Sequence, residues 1–169
     1  MKLKFTIPAL LVFFLFMGIH TSQAQKNAYV DSALILSQMQ EVKQAEATLE
    51  TLQKKLQSQG QAKVEAFQKR LEKIQDEIAQ GLLTPKQQEE ESNKFQAEQD
   101  AIAKFEQDMV SKIKNKRSEL LEPIYDKLNA AIKQVAKENS IDMVFDKATV
   151  LFGLEALDLT LKVKAKLGL

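Results

Sequence analysis

Few side chains in this 169-residue sequence could do covalent or metal chemistry. It has no cysteine and no tryptophan, and its single histidine, His20, sits in the apolar N-terminal stretch. Beyond that stretch no Ser/His/Asp or Cys/His nucleophilic site can form. Zinc has neither thiolate nor imidazole to bind, and no disulfide is available. Carboxylate chemistry remains, but no pair of acids stands out. The later glycines, Gly60, Gly81, Gly153 and Gly168, do not make a phosphate-cradling loop. Glu89, Glu90 and Glu91 lack the glycine turn and ligand spacing of a calcium loop. They read as a solvated helix start, where acids favour the helix dipole. The sequence therefore predicts no catalytic residue, no cofactor and no metal, and no enzyme. What remains is binding through helix surfaces.

The N-terminus predicts export. Met1-Lys-Leu-Lys4 is basic, Phe5 to Ile19 is almost wholly apolar, and Ser22 and Ala24 are small residues at the minus-three and minus-one positions. That order reads as a signal peptide over residues 1–24, cleaved after Ala24. The apolar run is short for a membrane span of about 20 residues, and no cysteine follows to carry a lipid anchor. Removing Lys2 and Lys4 leaves 22 of the 24 basic residues against 23 acidic ones, a net charge of −1. So balanced a chain lacks the basic footprint of nucleic-acid binding.

The elements come next. Asn27 to Asp31 predicts a strand, and about Ala33 to Asn139 is almost all helix-forming. Val42, Ala45, Leu49, Leu52 and Leu56 follow a 3-4-3-4 heptad seam. Val64, Phe67, Leu71, Ile74 and Ile78 continue it after a four-residue stutter near Gly60. A turn over 81–85 follows, with Gly81 as the left-handed residue, Thr84 as the next N-cap, Pro85 at the first helical position and Gln87 closing a capping box. Two long helices joined so briefly must lie antiparallel. Phe95, Ile102, Phe105, Met109, Ile113, Leu120, Ile124, Leu128, Ala131 and Val135 mark the apolar side of the return helix. Pro123 interrupts it, and is read as a hinge that kinks the helix or starts a new one; the alternative is a first-turn proline. Ile141 to Asp146 alternates as a strand, and Thr149 to Phe152 predicts another after a tight turn. The C-terminus fits two periods: strict alternation from Leu159 to Leu167, or a helix on Leu159, Val163 and Leu167 behind Asp158.

The fold class is therefore α+β and mostly helical: a coiled-coil hairpin arm over 33–122 on a small β-containing body from 25–32 and 123–169. That body is too small to stand alone, so subunits are expected to complete its core.

Four blocks resemble the Skp (OmpH-like) family of periplasmic chaperones. Ala28-Tyr-Val-Asp-Ser32 is similar to its first strand, and the run from Pro123 to Asn139 to its return helix. Ile141 to Asp146 with Val150 to Phe152 resembles its strand pair. Asp158-Leu-Thr160 and the residues after it resemble its closing helix, which favours helix at the C-terminus. The resemblance implies a homotrimer whose hairpins surround a cavity. It implies an ATP-independent periplasmic holdase that binds unfolded outer-membrane proteins. Basic arms are usual in that family, whereas here residues 42–80 carry 7 basic and 6 acidic side chains, and residues 86–122 carry 7 and 9.

Within that scheme Phe67, Phe95, Phe105 and Met109 are the candidate client-binding residues, although a hairpin seam would also claim them. Tyr29, Val30, Val144, Phe145, Leu151 and Phe152 are candidates for the oligomer interface, with an intrachain core as the alternative. The cluster Lys112, Lys114, Lys116 and Arg117 reads as a solvated face, or as a point of peripheral contact with membrane or anionic lipid. A structural coiled-coil spacer or scaffold of the cell envelope is the other function this pattern allows.

Overall fold

A computed structural model describes residues 25–169, so the expected signal peptide lies outside the described residues. The chain forms β1 (Asn27–Val30), α1 (Ser32–Gln38), α2 (Gln40–Ala79), α3 (Pro85–Glu138), β2 (Met143–Asp146) and α4 (Thr160–Leu167). At 1.5 Å per residue, α2 is about 60 Å long and α3 about 80 Å. Among the described residues no helix is long and apolar enough to cross a membrane.

Local chemistry sets the helix ends. Asp31 caps α1, its carboxylate accepting from the Leu34 amide at 2.9 Å. The expected continuous helix is broken at Met39, which is extended (φ −67°, ψ 127°) and buried. Burying that side chain outweighs the helix preference of its neighbours. At the far end Gly81 takes φ +70°. Thr84 and Gln87 form the complete capping box, with Pro85 opening α3. α3 then runs unbroken through Pro123. No new helix starts there, and the proline is not in a first turn. The missing amide costs a single intrahelical bond within a 54-residue helix.

The core lies where the two helix roots meet the strands. Ala28 and Val30 of β1, Ile35 of α1, Met39 and Ala45 pack with Ile124, Leu128, Ala131 and Val135 of α3 and with Leu159 and Val163. The 4-3-4 spacing along α3 aims one stripe at this core. β1 and β2 pair in parallel, Asn27 opposite Met143 through Val30 opposite Asp146. Parallel neighbours need a long crossover, and here the whole hairpin supplies it.

The expected strand from Thr149 to Phe152 does not form. Asp146 accepts from the Ala148 amide at 2.9 Å and bends residues 147–149 into a 3-10 turn. The far side of β1 is already taken, since Tyr29 bridges Asp158 and its carbonyl accepts from the Leu159 amide at 2.9 Å. Residues 150–152 therefore cannot join on the β1 side, and among the described residues the outer edge of β2 carries no third strand. The C-terminus is helical: Leu159 and Val163 are buried, and Gly168 closes α4 at φ +77°. Asp158 accepts from the Thr160 amide at 2.8 Å, supporting the helix start.

Candidate functional site

The arm is an open seam. From Gln57 to Pro123 no side chain is fully buried, although the heptad residues there are mostly half-buried. Two helices can cover only one side of each other, so a two-helix arm keeps apolar surface in reach of solvent. Ile78, Leu82 and Val110 are exposed outright.

The four candidate client-binding residues all sit half-buried along this seam. Phe67 and Phe95 meet edge to face, 5.7 Å between ring centres. The Arg70 guanidinium lies 5.1 Å from the centre of the Phe95 ring. The Lys63 ammonium stands 5.5 Å from that of Phe105, whose edge comes within 3.4 Å of where a Cβ on Gly60 would be. These rings therefore hold the hairpin together, and only their outer edges are available to a ligand.

Arg70 is the residue sequence reasoning missed. It bridges the helices, with Nη2 2.7 Å from Glu91 and Nη1 3.0 Å from Glu98. Lys94 joins Glu91 at 2.6 Å. The Lys94 and Arg70 side chains hold the Glu91 carboxyl below the usual carboxylate range. Glu91 is thus a half-buried clamp rather than part of a solvated helix start. Its spacing from Arg70 could be recognised only once the hairpin register was known.

The body brings together some of the expected interface residues. Val30 lies in the chain's own core, Tyr29 and Val144 are half-buried, and Phe145, Leu151 and Phe152 face solvent. Leu151 is as exposed as in an extended peptide and Phe152 is 83% exposed. Leu154, Leu157 and Leu161 are exposed too and were not expected. Large apolar side chains exposed in this number make this part of the body a candidate association surface. Tyr29 is fixed at its edge: its hydroxyl donates to the Leu154 carbonyl at 3.4 Å. A Cβ on Gly153 would lie 2.5 Å from its ring.

Pro123 lines a groove at the arm root with Glu41, Ala45, Thr48, Leu120, Ile124 and Lys127. Lys127 pairs with Glu41 across it and lowers the Glu41 carboxyl.

The fold occurs in solved structures. One is the crystal structure of a candidate outer membrane chaperone (OmpH-like) from Caulobacter crescentus CB15, 19% identical, with a TM-score of 0.72 over 89% of this chain and 88% of that one. No curated protein matches the chain. The family model for outer membrane protein (OmpH-like) matches residues 26–167, nearly everything the structure describes. The chain belongs to the OmpH-like outer membrane protein family.

Proposed function

We propose that the protein is a periplasmic, ATP-independent holdase chaperone that shields unfolded outer-membrane proteins between helical arms. The observation that carries this reading is the unfilled seam: from Gln57 to Pro123 the arm has apolar residues but no buried one. A spacer would gain rigidity from a filled seam. An unfolded barrel protein exposes alternating apolar strands, and many weak contacts can hold it. Each Å² of apolar surface removed from water contributes about 25 cal/mol. Family membership and the OmpH-like chaperone neighbour support the same role.

A homotrimer is part of the proposal. The exposed Phe145, Leu151, Phe152 and Leu154 lie on the body outside the chain's own core. A closed symmetric assembly would bury them and set several arms around one cavity. The near-neutral arms make apolar contact, rather than charge, the main source of affinity for clients.

The test is dilution of a urea-unfolded outer-membrane protein into buffer with and without this protein, without nucleotide. Suppressed turbidity supports the holdase. Undiminished turbidity at excess protein contradicts it and favours an envelope scaffold.

A further inference from the structure

Tip and root of the arm carry complementary surfaces. At the tip Leu82 is 63% exposed, with Ile78 exposed a turn earlier. Around them the solvent-facing Asp76, Glu89 and Glu90 outnumber Lys86, and none of the four takes part in an ion pair among the described residues. At the root a groove of about 470 Å³ lies between the helices. Ala47, Thr48, Thr51 and Leu52 line it with Lys55 and Lys116. Lys116 is paired with Glu119, but Lys55 and the neighbouring Lys112 and Lys114 have no acidic partner among the described residues. The tip is an apolar knob with an acidic surround, and the root is an apolar groove with a basic rim.

We infer that the arm tip of one copy docks into the root groove of a second copy, pairing the arms antiparallel. Thr51 and Leu82 are about 45 Å apart along the hairpin at helical rise. Both arms share this span, so an antiparallel pair seats both tips at once and closes about a two-fold axis. A tip cannot reach the groove of its own arm. The paired arms cover part of each other's open seam, so the doubled particle is the form without client. The inference does not depend on the body being a trimer, because it doubles whatever unit the body forms.

Exposed charges interact across about 30 Å at 0.01 M salt and about 3 Å at 1 M, so the pairing is salt-sensitive. The test is light-scattering mass of the exported chain, residues 25–169, at about 10 mM and about 1 M salt. The low-salt mass is expected to be twice the high-salt mass; equal masses overturn the inference. The double variant Glu89→Lys, Glu90→Lys should abolish the doubling. Adding Lys55→Glu and Lys116→Glu to the same chain should restore it, with helical circular dichroism confirming the fold of each. Doubling that survives the first change, or does not return with the second, overturns the inference. Leu82→Ser, in the exposed turn, is an independent probe that leaves every charge in place. It should weaken the doubling by about tenfold, as expected for one apolar side chain; an unchanged association constant overturns the docking of the tip.

Discussion

Two glycines show how a single missing side chain shapes each half of the molecule. Gly153 exists because the Tyr29 ring occupies the place of its Cβ, 2.5 Å away. Gly153→Ala must push that ring off β1 and is expected to destabilise the body by about 1–3 kcal/mol, as overpacking does. Urea denaturation of the variant checks this. Gly60 is the opposite case, since its nearest neighbour is the edge of Phe105 at 3.4 Å. Gly60→Ala fits with little movement and is expected to stabilise the arm by up to about 1 kcal/mol. The shift should appear in the thermal unfolding of the helical signal. The sequence marks Gly60 through its place in the stutter. Nothing in the sequence marks Gly153, because its partner Tyr29 is 124 positions away.

At the scale of elements the hairpin and the body's two strands are legible, and the break at Met39 and the missing third strand are not. Heptad spacing, Gly81, Thr84 and Pro85 are local signals, and local signals place helices and turns. The break at Met39 is decided by a tertiary contact, the burial of the methionine, and the absent strand at Thr149 to Phe152 by the 3-10 turn that Asp146 sets. The Arg70 clamp is non-local. Removing it with Arg70→Ala leaves Glu91 with Lys94 alone, and faster amide exchange is expected from about residue 67 to 98 with the body unchanged. Exchange that rises equally in body and arm would contradict a local clamp. The same clamp gives a pH dependence. A carboxylate lowered on folding adds stability above its unfolded pKa and loses it as pH falls through its folded value. Glu91 is such a group. The distal arm should therefore loosen on acidification below the usual carboxylate range, and Glu91→Gln should flatten that response.

For the whole molecule, an open-seamed arm and an apolar body call for different partners. Leu151 and Phe152 lie outside the chain's own core, so replacing both with Asp should leave the protomer's secondary structure intact while breaking the assembly. Sedimentation at about 1 M salt, where arm pairing is screened, should then give the mass of one protomer. An assembly that persists would place the interface elsewhere. The candidate arm residues Phe67, Phe95 and Phe105 behave differently, because their rings also pack the hairpin; their truncation tests stability and client binding together.

The measurement that bears most directly on the central claim is the light-scattering mass, after size exclusion, of residues 25–169 mixed with a urea-unfolded outer-membrane protein during dilution. One soluble peak is expected, with the mass of three protomers plus one client. An assembled protein that elutes alone while the client precipitates would contradict it.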